Sequence, residues 1–535
     1  MQNYDAIIIG AGHNGLVTAA YFAKARKKVL VLERRPIIGG IAATEEIFPG
    51  FKYSTCAHLA GSFSHNIVRD LNLKNYGLEI LALDPLLFAP GQDGNSLLLP
   101  QAQAKTANEI GRFSRADAAK FQAFSKLLKK LSAFLKTLNG SPLPDGANLA
   151  SFNIVELIKL GWKFHRLGEK QMYEFLRILP ISVADLLNEW FETELLKAAL
   201  AAGGIRGSFV GPRAQGTSFA LLHHQLGLSN GVLPTAGFVR GGIGNLPRAI
   251  AQAAQQYGAE IRTETEVVKV VTKNGAAAGV VLKNGDEITA DVVVSNADVK
   301  RTFFQLVEAT YLDPKFLLQV KNIRSRGTVA KANFALGGLP RFACASNHAS
   351  TASLGGVIHV GPTLDNLERA ADDAKYGRFS KEPFLEITIP SIADPSLAPP
   401  GKHVLSVWMQ YAPYHLKDGT WKEKREMLGD QIVKLIDDYA PGFKSSLLHR
   451  QVLSPLDLEE TFGLTEGHIY HAELALDQIF FMRPVPGWAH YRTPIDNLYL
   501  CGSGTHPGGG ITGLPGYYAA KTILKNWPAR KQPRL

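Results

Sequence analysis

Cysteine is scarce: Cys56, Cys344 and Cys501 are the only three in 535 residues, far apart and without a CxxC or CxxxxC pair. That excludes a disulfide framework and a redox-active dithiol, and it predicts a reducing, cytoplasmic setting. No run of eighteen apolar residues occurs, so no membrane-spanning helix is expected. The opening MQNYDAIIIG lacks the basic and apolar regions of a signal peptide and the Arg/Ser-rich character of a presequence. A net charge of +11 favours anionic partners, yet no compact Lys/Arg run marks a nucleic-acid surface. A phosphate-bearing cofactor or an acidic lipid surface accounts for it better, and no nucleic acid is expected. No metal is expected either, and internal repeats and low-complexity tracts are absent.

What remains is globular: 46% hydrophobic and 20% charged residues, enough to build cores. A chain of 535 residues exceeds one core, so two or three domains are expected. Residues 5–10 (DAIIIG) read as a buried parallel strand, 14–27 as a helix and 28–33 (KVLVLE) as a second strand, a βαβ unit. Residues 106–200 read as helical. Within them Phe121, Phe124, Leu128, Leu131, Leu135 and Leu138 share one helix face. The period changes to two at 259–271, 277–283 and 287–290, with Asn284-Gly285 as a tight turn. Residues 291–298 (DVVVSNAD) read as a strand rejoining the first sheet, and 497–501 (NLYLC) as a last strand opening a helix from about 511. The chain thus leaves the first domain and returns to it.

Three motifs carry chemistry. In Gly10-Ala-Gly12-His-Asn-Gly15, Gly10 permits the turn, Gly12 the approach of a pyrophosphate, and Gly15 close helix packing. Glu33 ends the second strand, where an acid accepts hydrogen bonds from a ribose 2′-OH. Beyond it, Arg34 and Arg35 could neutralise phosphate or cover adenine, and Gly39-Gly40 allows a second close backbone approach. An extended FAD needs that second approach; a simple NAD site does not. The third motif, CGSGTHPGGGITGLP at 501–515, again follows a strand and opens a helix. Its glycines would let backbone pass a planar ring, with N–H groups near Ile511 and Thr512 stabilising a reduced flavin. Gly241-Gly242-Ile-Gly244 does not fit the dinucleotide spacing, so electrons are expected to leave to an external acceptor, oxygen or a quinone.

At these residues the sequence resembles the bacterial-type phytoene desaturase family, and within it the non-carotenoid branch that includes the pyridine nucleotide-disulfide oxidoreductase domain proteins. The N-terminal IIIGAGHNGLVTAAYFAKARKKVLVLERRPIIGGIAAT and C-terminal NLYLCGSGTHPGGGITGLPGYYAA carry the resemblance, with GGIGNLPRAI, TEVVKVV, ADVVVSNAD and FGLTEGHIYH between them. It implies an α/β fold: a Rossmann-like FAD-binding domain of glutathione-reductase type (1–105, 230–300 and 490–535) interleaved with an α+β substrate domain with a helical portion (106–229 and 301–489). Carried over residue by residue, Gly10, Gly12, Gly15 and Glu33 would hold the ADP half. Gly39 and Gly40 would lie along pyrophosphate and ribitol, the backbone around Val267 and Val268 would meet adenine, and Gly502, Gly509, Gly510, Ile511 and Thr512 would lie along ribitol and flavin.

The reaction this predicts is hydride transfer from a hydrophobic, lipid-like substrate to flavin, by a dehydrogenase, desaturase or isomerase. Candidate acid/base residues are His506, beside the expected flavin, and His223 and His224 in the substrate region. The helices at 121–138 and 152–167 read either as packing against the substrate domain, the preferred reading, or as a peripheral membrane surface. Two further readings stand beside the first: an amine-oxidase-like flavoenzyme, and an FAD-stabilised interaction protein with little turnover.

Overall fold

The structure is a computed structural model and describes residues 3–91, 94–140, 154–226, 237–344 and 351–528. Its architecture is α/β, organised on two seven-stranded sheets. The first is built on the strand Asn3–Ile9, whose run of isoleucines is buried on both faces as a central parallel strand requires. Ala6 pairs with Val29 on one side and Val292 on the other. The strand Glu287–Ser295 divides its outer edge. Its first half pairs antiparallel with Ala276–Leu282, and its second half parallel with Leu498–Leu500. The last strand therefore lies one strand from the first, and the expected return of the chain at 291–298 and 497–501 is observed. The helices His13–Lys24, Asn245–Gln256 and Leu514–Lys525 cover one face over a continuous apolar core.

The second sheet runs in the order Leu447–Leu453, Val329–Leu336, His403–Gln410, Phe384–Thr388, Val357–Val360, Leu87–Pro90, Ser96–Leu99. It is antiparallel except where Val357–Val360 pairs with Leu87–Pro90. Leu87–Pro90 and Ser96–Leu99 thus belong by hydrogen bonding to this sheet, and the first segment leaves the nucleotide side before residue 105. The expected boundary at 229–230 lies outside the described residues.

The helix Arg115–Asn139 is capped by the Ser114 hydroxyl, which accepts from the Asp117 N–H at 3.1 Å. Phe121, Phe124, Leu128, Leu131 and Leu135 are all buried, with Phe124 set against Trp190 and Phe191. Core packing consumes this face. The segment expected at 152–167 is the helix Ile154–His165, with its first two expected residues outside the described set. It is unlike its neighbour: Ile158 and Trp162 are exposed, as are Tyr173 and Leu176 on the helix Glu169–Ile178. Among the described residues no helix is long and apolar enough to cross a membrane.

Candidate active site

The first glycine motif makes a cradle at the end of the first strand. Gly10 holds φ +94, and a Cβ on Gly15 would lie 2.3 Å from the Gly10 carbonyl oxygen, so no other residue lets the helix start so close. Gly15 therefore acts by packing. The helix His13–Lys24 follows Gly12 with no side-chain cap, leaving its first N–H groups and positive dipole end toward the cavity. Glu33 is buried, and its two oxygens accept from the Ala11 and Arg35 N–H groups, each at 2.9 Å. Each oxygen keeps a further lone pair for a ribose hydroxyl. Gly39 donates to the Ala11 carbonyl at 2.8 Å, and Gly40 passes the backbone of Gly12 closely.

Gly10, Gly12, Glu33, Gly39 and Gly40, with Thr265, Glu266, Val267, Asn296, Asp298 and Arg301, surround a cavity. His13 Nε2, Asn14 Oδ1 and Arg35 Nη1 are buried without partners in residues that line it. Orphaned polar atoms cost about 1–3 kcal/mol each, so the wall is built for a polar ligand, and its shape and donors fit the ADP half of FAD.

Three expected contacts are corrected. Val268 is 41% exposed and takes no part in the cavity, because alternation along the strand turns it away from Val267. Gly502 lies behind the wall, where a Cβ would meet the Asn296 carbonyl at 2.9 Å. Arg34 lines the cavity, but its guanidinium donates to the Glu460 and Thr461 carbonyls at 2.9 and 2.7 Å. It caps the helix Pro455–Phe462 there, and burial, with Arg301 nearby, lowers its pKa.

The C-terminal motif is sutured to the first. Asn14 Nδ2 donates to Ser503 Oγ at 3.3 Å and Thr18 Oγ1 to the Gly516 carbonyl at 3.1 Å. A Cβ on Gly516 would sit 2.1 Å from the Asn14 carbonyl oxygen. The helix begins at Leu514, later than expected, with Pro515 in its first turn, so Ile511 and Thr512 belong to the loop before it. Arg483, 1% exposed, holds this loop to the preceding segment. It donates to the Ser503 and Tyr470 carbonyls at 2.8 and 2.9 Å and to Ala472, Glu473 and Gln478, and burial lowers it to about 9.

Gly509, Gly510, Ile511 and Thr512 form one wall of a second, larger cavity, completed by apolar side chains including Leu59, Phe63, Trp408, Ile469 and Tyr470. Ile41 is a wall common to this cavity and the cradle. Beyond Leu59, Arg206 and His224 lies a small inner chamber walled by Leu86, Leu87, Leu200, Leu221 and Val357.

The three candidate histidines part company here. His506 does not line the cavity; its Nε2 lies 3.0 Å from the Asn139 carbonyl, tying the loop to a helix end, and burial lowers it to about 4. His223 lines the cavity with Nδ1 unpartnered, lowered by burial to about 3. His224 Nδ1 is 2.8 Å from the Gly203 carbonyl and must donate to it. Its Nε2 then accepts from the Tyr470 hydroxyl at 3.1 Å. Burial lowers His224 to about 4. Imidazoles this weakly basic hold little of a transferred proton at neutral pH.

The profile of the family described as flavin containing amine oxidoreductase matches residues 15–516. The chain belongs to this family. It is 39% identical over 544 residues to the pyridine nucleotide-disulfide oxidoreductase domain-containing protein 2 of Rattus norvegicus, covering 98% of this chain and 94% of the relative. It is 25% identical to a limonene dehydrogenase component from Castellaniella defragrans, covering 98% and 95%. Among solved structures, an oxidoreductase from Methanosarcina mazei shares the fold with a TM-score of 0.60 at 17% identity, covering 98% and 100%. The chain is thus an FAD-dependent oxidoreductase. All three cysteines are free and buried, so nothing in this flavoenzyme supports a disulfide reaction.

The flavoenzyme also carries a row of polar side chains that sequence reading missed. Lys331 pairs with Trp408, Trp408 with Glu386, and Glu386 with His359, directly opposite one another on four adjacent strands of the second sheet. Across this row sits His58. Its Nε2 is 3.1 Å from Glu386 Oε1 and its Nδ1 3.1 Å from Lys331 Nζ. An ionised carboxylate only accepts, so Nε2 carries the proton and Nδ1 accepts from lysine. Arg206 pairs with Glu386 Oε2, and His359 Nε2 lies 3.4 Å from it. Burial alone would raise Glu386, but Arg206, His359 and His58 hold it well below the carboxylate range. Burial lowers Lys331 to about 7, and burial with Lys331 beside it lowers His58 to about 4. Fully buried lysine is rare, so Lys331 inside the run VAKANFAL was the available signal.

Proposed function

We propose that this flavoenzyme acts on a hydrophobic, lipid-like substrate by hydride transfer to flavin, as a dehydrogenase, desaturase or isomerase. The observation that carries this is the large cavity with predominantly apolar walls against the Gly509–Thr512 loop, continued by a second apolar chamber. A relative named limonene dehydrogenase supports the same substrate character. FAD, when bound, accepts the hydride. Gly10, Gly12, Glu33, Gly39 and Gly40 hold its ADP half, and Gly509, Gly510, Ile511 and Thr512 line the reacting end.

The chain's own part is to exclude water, orient the substrate and receive the proton released with the hydride. The weakly basic histidines suit that last task poorly. Lys331, which stands behind the cavity-lining His58, has the better basicity for it, since burial brings its amine near neutrality. An amine substrate is disfavoured: Glu386 is already engaged by Arg206, His58 and His359, and a protonated amine would face Arg206. Electrons leave to an external acceptor, oxygen or a quinone. The exposed Ile158, Trp162, Tyr173 and Leu176 beside basic residues suit peripheral contact with a membrane supplying such a substrate.

The test is anaerobic titration of the FAD-loaded protein with apolar alkenes, alcohols and ketones and with amines. Bleaching of the flavin absorbance by apolar compounds, with a product lighter by two hydrogens, supports the reading. Bleaching by amines alone would overturn it.

A further inference from the structure

The two apolar chambers meet at a polar collar. Leu59, Arg206 and His224 line both, so a molecule in either meets the guanidinium. His224 has nothing to offer a ligand there, since Gly203 and Tyr470 occupy both ring nitrogens. Arg206 differs. Among the described residues its hydrogen-bonded partner is Glu386, reached through Nη2, and it stands 5.9 Å from the Trp408 ring. A guanidinium carries five N–H donors, so several remain at the cavity wall. A second observation points the same way. His359 lines the inner chamber and is 6% exposed; its Nε2 faces Glu386, and its Nδ1 is buried without a partner. A buried imidazole nitrogen without a partner beside unused guanidinium donors is a polar demand in otherwise apolar walls.

The sign of the site narrows what satisfies it. Arg206 and Glu386 neutralise one another, so the collar offers donors without net charge. A carboxylate would be brought close to Glu386, and an ammonium close to Arg206, each desolvated and opposed by a like charge. A pure hydrocarbon would leave the donors unsatisfied. Resting on the proposed oxidation of an apolar substrate, we infer that the substrate is a neutral amphiphile: an apolar body held in the larger cavity and bearing a carbonyl or hydroxyl oxygen, which accepts from Arg206 at the collar. Arg206 is thus a specificity-determining residue, and Glu386 positions it.

The test measures binding to the oxidised, FAD-loaded protein and needs no turnover. Four probes of equal chain length, an n-alkane, a long-chain 2-alkanone, a fatty acid and an alkylamine, are titrated while flavin absorbance and tryptophan fluorescence are followed. The ketone should bind about tenfold more tightly than the alkane, equivalent to about 1.4 kcal/mol. In Arg206→Met/Glu386→Gln, which removes both charges together, the two should bind alike. Arg206→Lys, which keeps the ion pair and loses the fork, should lose most of the preference and guards against misfolding of the double variant. Equal binding of alkane and ketone by the wild type, tightest binding of the acid or the amine, or an unchanged preference in Arg206→Lys and in an FAD-retaining double variant would overturn the inference. Failure of every probe to bind a protein that retains FAD would defeat the apolar-substrate reading itself.

Discussion

Lys331 is 0% exposed, and replacing it with methionine should make the protein more stable at neutral pH. Its amine falls from 10.5 to about 7 on folding, with burial as the first cause. Each pH unit of that gap corresponds to about 1.4 kcal/mol, so burying the amine costs about 5 kcal/mol where both states are protonated. Lys331→Met removes that cost and keeps an apolar side chain of similar reach. It also strips His58 Nδ1 of its donor, which costs about 1–3 kcal/mol. The net gain is about 2–4 kcal/mol below about pH 7. The sign with pH is definite. Between about pH 7 and 10.5 the unfolded lysine binds more proton than the folded one, so wild-type stability rises with pH by up to about 1.4 kcal/mol per unit. The variant lacks this contribution, and its advantage shrinks as pH rises. Denaturant melts of both proteins, saturated with FAD, between about pH 6 and 10 check this. A variant less stable than wild type throughout, with a wild-type pH slope no steeper than its own, would refute the reasoning.

Gly39→Ala places a Cβ 2.8 Å from Pro247 Cγ at a backbone φ of +112, so the purified variant should retain little FAD by released-flavin chromatography. His506→Ala should leave the pH profile of flavin reduction unchanged while lowering stability by about 1 kcal/mol, since its ring bonds a helix-end carbonyl away from the cavity. Trp162→Ser/Ile158→Ser should reduce flotation with anionic vesicles several-fold without altering flavin content; equal flotation of variant and wild type would remove the membrane surface.

The cofactor half of the site was legible because its demands are local. A turn at Gly10, a close approach at Gly15 and an acid at Glu33 are each met by residue type at fixed spacing. The return of the last strand was legible for the same reason. The start of the final helix was misplaced although Leu514-Pro515 signals a first turn, because the glycines before it drew the boundary forward. His506 was misjudged because closeness in sequence to Gly509 says nothing about which way a loop side chain faces. The Lys331–Trp408–Glu386–His359 row was hidden for a deeper reason. Its strands are largely buried on both faces and carry no clear two-residue alternation, and its members meet only through the pairing of distant strands.

The suture between Asn14 and Ser503 spans 489 residues and has a consequence for biosynthesis. At about 5–20 residues per second a ribosome needs roughly 25–100 s to deliver the second half of the cradle after the first has emerged. During that interval the glycine loop, its uncapped helix start and the free edge of the sheet await the strand Leu498–Leu500. Flavin capture is therefore an event of the finished chain, and a nascent or truncated one should emerge colourless.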